Sequence, residues 1–123
     1  MPVKIEGKVT AEYILSEASG ARSRDQAKIA SGAGQVEAGT ILGKITASGK
    51  FAPHDSSATD GSEAAIAILY ANVDATDADA RCVISARDCE VKKDDLIYHA
   101  DIDTDTEIDA VNASLAANGI IVR

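Results

Sequence analysis

Apolar positions along this chain mostly come in short runs broken by glycine and by polar clusters, a spacing that predicts strands. Ile41-Leu-Gly-Lys-Ile-Thr-Ala47 is largely apolar, Ser48-Gly49 marks a turn, and Lys50-Phe-Ala-Pro53 returns. A short apolar run, a glycine turn and a second run predict a β-hairpin. Pro53 has no amide to give a ladder, so the return strand is short or lies at an edge. His54 to Glu63 is a polar loop around the turn signal Asp60-Gly61, which leaves His54 exposed. Ala64–Ala71 is a continuous apolar run whose length predicts a buried strand. In Arg81–Arg87, Cys82, Ile84 and Ala86 share one face, and Arg81, Val83, Ser85 and Arg87 share the other. Gln26–Ala30 predicts a further strand, Val36–Thr40 a turn, and Val91 and Leu96–Tyr98 short strand or turn pieces. Asn72–Ala80, rich in Asp and Ala, reads as a solvated connection.

The rhythm changes once. Thr104-Asp-Thr-Glu107 fits a capping box, in which the threonine hydroxyl and the glutamate satisfy free amides at a helix start. Ile108, Val111 and Leu115 then fall on one helical face. Asn118-Gly119 stops the helix, and Ile120-Ile-Val122 closes as a strand. The fold class is therefore a β-rich α+β single domain, mainly antiparallel, with one C-terminal helix.

Residues 1–25 read as an extended N-terminal arm and residues 26–123 as the β domain. Gly7, Gly20 and several serines interrupt any long apolar pattern before Asp25. The alternative is an ordinary first strand with a short helical turn through Ala11–Ala18. Around Gly7, the apolar Val3, Ile5 and Val9 alternate with Lys4, Glu6 and Lys8, the pattern of a segment that can add to a sheet edge. Val3, Lys4, Ile5, Glu6 and Val9 are accordingly the candidate binding residues.

Composition adds two constraints. Alanine supplies 23 of the 123 residues, against three Tyr, one Phe and no Trp. A core built from such small pieces buries modest area per residue, at about 25 cal/mol per Å² of apolar surface, so burial against copies of the same chain would help. The net charge of −8 argues against nucleic-acid and anionic-membrane partners. No apolar run approaches the length of a membrane span, and Met1–Gly7 has no signal-peptide core, which predicts that the chain stays in the cytoplasm of the cell that makes it. Cys82 and Cys89 are expected as free thiols, since an extended stretch holds them too far apart to bridge.

Candidate chemistry is thin. Asp101-Ile-Asp-Thr-Asp-Thr-Glu107 imitates a calcium loop, but Thr106 stands where the sharp turn needs glycine and Asn112 where a bidentate glutamate is needed. His54 and His99 lack metal-site spacing. A Cys82 or Cys89 pair with His99 has no catalytic context. The glycines around Gly32–Gly34 and Gly39–Gly43 do not form a phosphate loop. No catalytic, cofactor-binding or metal residue is assigned, and no cofactor is expected.

The order of the strand motifs resembles a family. Gly39-Thr-Ile-Leu-Gly-Lys-Ile-Thr-Ala-Ser-Gly-Lys-Phe-Ala-Pro-His54, then Thr59-Asp-Gly-Ser-Glu63, then Ala64–Tyr70, and finally Gly119-Ile-Ile-Val122, are similar to the lambda-type bacteriophage head decoration proteins. The resemblance runs from about residue 27 to residue 123. It implies a barrel-like β domain that assembles as a homotrimer. It also implies a major capsid protein as partner, a place on the outer virion surface at three-fold positions, and reinforcement of the expanded head against internal DNA pressure. In that family the N-terminal arm orders against the capsid. The competing readings are a small β-barrel ligand-binding or enzyme module and a non-viral oligomeric adaptor.

Overall fold

A computed structural model describes residues 10–20 and 22–123. The expected class holds: a closed five-stranded barrel, a smaller sheet and one C-terminal helix. The barrel strands are β2 (Arg24–Ile29), β4 (Ile41–Lys44), β5 (Phe51–Pro53), β6 (Ala67–Leu69) and β8 (Ala80–Ser85). Their order is β2-β5-β4-β6-β8, closed by the long antiparallel pair β2–β8 from Arg24↔Ser85 to Ile29↔Ala80. The other pairings are antiparallel except β2–β5, which meet in parallel at Ile29↔Phe51. Closure removes the free edges that an open sheet of such short strands would expose. The barrel is filled by Ile29, Leu42, Phe51, Ala67, Leu69 and Ile84.

The second core lies between the barrel, the helix and a three-stranded sheet. That sheet joins β1 (Ile14–Glu17), β9 (Cys89–Val91) and β10 (Ile120–Val122) in the order β1-β9-β10. β1 runs antiparallel to β9 and β10 parallel to it. The helix α1 (Asp105–Ala117) points Val111 and Leu115 into this core, where they meet Tyr13, Ile41, Ile68, Val91 and Ile120. Its start is capped as expected: Thr104 Oγ1 accepts the Glu107 amide at 3.2 Å. Glu107 does not complete the box through the Thr104 amide; its carboxylate instead accepts the Thr104 hydroxyl at 3.0 Å. At the other end the Asn118 and Gly119 amides return to the Leu115 and Ala116 carbonyls.

The Thr59-Asp-Gly motif has a physical cause. Gly61 has φ +111, and a Cβ there would collide with the Lys44 carbonyl and Thr46 Oγ1. Asp60 braces the turn by accepting the Ser62 amide and hydroxyl, while its own carbonyl accepts the Thr46 amide at 2.9 Å. The loop is thereby stitched to the end of β4. The hairpin turn begins at Ile45, whose carbonyl accepts the Gly49 amide at 2.8 Å, so β4 stops at Lys44 and not at Ala47.

Three expectations are corrected. The apolar run Ala64–Ala71 forms only the three-residue strand Ala67–Leu69, because Ala64 still belongs to the preceding turn, its amide returning to the Gly61 carbonyl. The stretch 72–80 is not a plain solvated connection. It contains β7 (Val73–Ala75), which pairs antiparallel with β3 (Gly34–Val36) and buries Ala75. Cys82 and Cys89 do not share one stretch. Cys82 lies on β8 in the barrel core and Cys89 on β9 in the helix-side core, and both are free thiols.

The two readings left open for the N-terminal stretch meet at Tyr13. A strand is present at Ile14–Glu17, and Tyr13 is 0 % exposed. Its hydroxyl and that of Ser85 on β8 share a buried hydrogen bond of 2.6 Å. Thr10–Tyr13 forms a turn, anchored by the Ala11 amide on the Tyr70 carbonyl.

Candidate functional site

The candidate binding residues Val3, Lys4, Ile5, Glu6 and Val9 lie outside the described residues. The structure describes the segment that follows them in the chain. From Thr10 the chain turns into β1, an outer strand of the β1-β9-β10 sheet. A bulge interrupts the β1–β9 register between Ile14 and Ser16, and Leu15 at that bulge is 47 % exposed. Ile121 on the opposite outer strand is 39 % exposed. These two residues are the exposed large apolar side chains among the described residues. Ion pairs frame this sheet: Glu17 on β1 takes the Arg24 guanidinium, which also lies 4.5 Å over the Tyr70 ring, and Glu90 on β9 takes Arg123 at 3.1 Å.

The residues screened for chemistry are placed as structural groups. His54 is not exposed as expected but 5 % exposed, with Nε2 3.0 Å from the Glu63 carbonyl oxygen. The polar loop folds back over it, which a count of polar residues cannot foresee. It helps line a small pocket of about 190 Å³ with Ala65, Ile102 and Val111 beside the helix. Burial pushes both thiols up to about 11, so they remain protonated near neutrality. A protonated thiol is a poor nucleophile.

The acidic stretch 101–107 is divided between two jobs. Asp105 and Glu107 occupy the first turn of α1. Asp101 accepts the Ser56 hydroxyl at 2.8 Å and pairs with His99 Nδ1 at 2.6 Å. Those contacts, Ser56 first, hold its carboxyl below the usual carboxylate range. Asp55, His99 and Asp101 each place one potential ligand atom within 4.8 Å of the others at the surface. The Asp55 carboxylate already accepts the Ser57 amide and hydroxyl, so it braces a turn as Asp60 does. Sequence reasoning missed the approach of Asp55 to His99, because the two loops are joined only in the fold.

A closed barrel followed by a capped C-terminal helix agrees with the order of strand motifs read from the sequence. A family model for the bacteriophage lambda head decoration protein D matches residues 3–120. The chain belongs to that family. The match reaches well beyond the stretch from residue 27 on which the resemblance was read, and it takes in all five candidate binding residues. Comparison with curated proteins found no match. Membership in a family of phage head proteins gives the chain a head-decoration role and a virion capsid location. No helix among the described residues is long and apolar enough to cross a membrane.

Proposed function

We propose that this decoration protein works as a cement. Three copies associate as a homotrimer, seat on the outer face of an expanded phage head at its three-fold positions, and hold neighbouring copies of the major capsid protein against internal DNA pressure. The family match over residues 3–120 carries this reading. Further support comes from a small-residue core that gains from burial against copies of itself, and from an acidic surface suited to a protein partner. The role needs no catalytic step and no cofactor.

The segment preceding Thr10 makes the attachment in this reading. Val3, Ile5 and Val9 fit pockets on one side of an added strand, with Lys4 and Glu6 on the other, while main-chain hydrogen bonds supply affinity. Ordering such a segment costs about 1–2 kcal/mol per residue in backbone entropy. Apolar burial on the capsid must exceed that cost. Support comes from the alternation around Gly7 and from the way the chain enters the domain through an outer strand, β1.

The test is reconstitution. Heads assembled and expanded without a decoration protein are incubated with this chain, and electron microscopy locates the added density. Trimeric density on the outer three-fold positions, with longer survival of DNA-filled heads, is the expected result. Density elsewhere, or none at saturating protein, overturns the reading.

A further inference from the structure

The outer face of the long β2–β8 pair carries an unusual charge arrangement for so acidic a chain. Lys28 and Arg81 stand directly opposite each other in the antiparallel register. Like charges at that position repel and weaken the pair. Among the described residues neither forms an ion pair. Lys50, from the hairpin between β4 and β5, joins them in lining an open groove of about 1030 Å³ with an apolar side at Val73 and Val83. Three of the chain's 12 basic residues thus gather at one groove. The one carboxylate bonded there is Asp79, which takes Lys50 at 2.6 Å and also feels the charge of Lys28, leaving Arg81 without a counter-charge there among the described residues.

A groove of this kind suits an acidic protein segment. The chain's first nine residues are a poor occupant by charge, since Lys4 and Lys8 outnumber Glu6. The acidic stretch 74–79 is excluded by position: it runs from β7 at the groove wall and already supplies Asp79 to Lys50. In the loop 55–63, Asp55, Asp60 and Glu63 already accept bonds from Ser57, Ser62 and the Gly61 amide. The helix entrance is a strongly acidic surface whose aspartates brace no such turn among the described residues. There Asp103, Asp105 and Asp109 are all exposed, and none of the three forms an ion pair among the described residues. This surface belongs to the helix-side core, whereas the groove lies on the barrel.

We infer that the Lys28–Arg81–Lys50 groove of one copy receives the Asp103–Asp109 surface of a second copy. This deepens the homotrimer reading and rests on it. Two different patches that fit each other make a head-to-tail contact, and head-to-tail contacts generate closed rings when the rotation closes. Each copy then gives its groove to one neighbour and its helix entrance to the other. The opposed cations weaken the isolated barrel and gain their counter-charges on assembly.

Charge reversal tests this in the full-length chain. K28E/R81E and, separately, D103K/D109K should each raise the trimer dissociation constant by about tenfold or more, since reversal sets like charges across the contact. Circular dichroism and unfolding curves check that each variant is folded. The chain carrying all four changes restores opposite charges and should trimerise again with itself, but not with the wild-type chain. Wild-type association should weaken as salt is raised, by screening. A trimeric wild type whose reversals leave association intact overturns the groove assignment and leaves the homotrimer reading standing. A wild-type chain that stays monomeric at high concentration overturns both for the free protein. Reversals that spare the trimer but reduce binding to heads also overturn the inference, assigning the groove to the capsid protein instead.

Discussion

The hydroxyls of Tyr13 and Ser85 meet at 2.6 Å, although 72 residues separate them in the chain. Both side chains are fully buried. Tyr13 belongs to the helix-side core, and Ser85 lies opposite Ile68 on the face of β8 turned to that core, away from Ile84 in the barrel, so this one bond ties the N-terminal turn to the barrel wall.

Tyr13→Phe should therefore destabilise the protein by about 1–3 kcal/mol, because it leaves the buried Ser85 hydroxyl without its partner. Tyr13→Ala should cost more, about 3–5 kcal/mol, by adding a cavity. Urea unfolding measures both. The double variant Y13F/S85A should recover part of the loss seen in Y13F alone. If Y13F is as stable as the parent chain, the hydroxyl pair does not hold the N-terminal turn to the barrel wall.

Gly61→Ala should destabilise by about 1–3 kcal/mol or more, since φ is +111 and the added methyl meets the Lys44 carbonyl. Thermal unfolding under one buffer condition is sufficient. A neutral effect would show that the Asp60-Gly61 turn does not pin the loop to β4.

Thr104→Ala should cost about 1 kcal/mol through the lost cap on α1. Thr104→Ser should keep most of that stability, because the hydroxyl oxygen still accepts the Glu107 amide. Equal losses in the two variants would contradict the capping role.

Much of this was legible in the sequence because local chemistry decided it. The Thr104 cap, the Asn118-Gly119 stop and the turn at Asp60-Gly61 all place their residues as their chemistry requires, although Glu107 does not return the bond to the Thr104 amide. The failures share a different cause. β3 and β7 are three residues each, too short to carry an alternation, and they exist because they pair with each other. His54 is buried by a loop whose polar residues bond one another and the backbone, not water alone. Tyr13 was visible as one apolar residue among glycines and serines, and nothing nearby announces its partner at Ser85. Of the candidate site, the alternation in the first nine residues was legible, whereas the groove opposing Lys28 to Arg81 needed the β2–β8 register.

Stability should fall in acid. Side-chain and backbone bonds from Ser57, Ser62 and Thr76 hold Asp55, Asp60 and Asp74 below the ordinary value of 3.8, and Lys50 and the Ser31 amide do the same for Asp79. A lowered folded-state value means stability that is present above the unfolded value and lost as pH falls through the folded one. The unfolding midpoint in urea should stay level from pH 7 to about pH 5 and drop below about pH 4. At the alkaline end the signs reverse. The thiols of Cys82 and Cys89 are raised from 9.0 to about 11, so their contribution is complete below pH 9 and lost as pH rises through about 11. A midpoint that rises on acidification below pH 4 would contradict these assignments.

Attachment through the segment before Thr10 is the central claim, and deletion of residues 2–9 tests it most directly. Purified full-length and shortened chains are titrated onto expanded heads that lack a decoration protein, and bound protein is measured after sedimentation. The shortened chain should keep its cooperative unfolding, because Tyr13 and β1 remain in place, and should lose binding by at least about a hundredfold, the loss of some 2.7 kcal/mol of attachment. A folded, shortened chain that binds heads as tightly as the full-length protein would contradict the account.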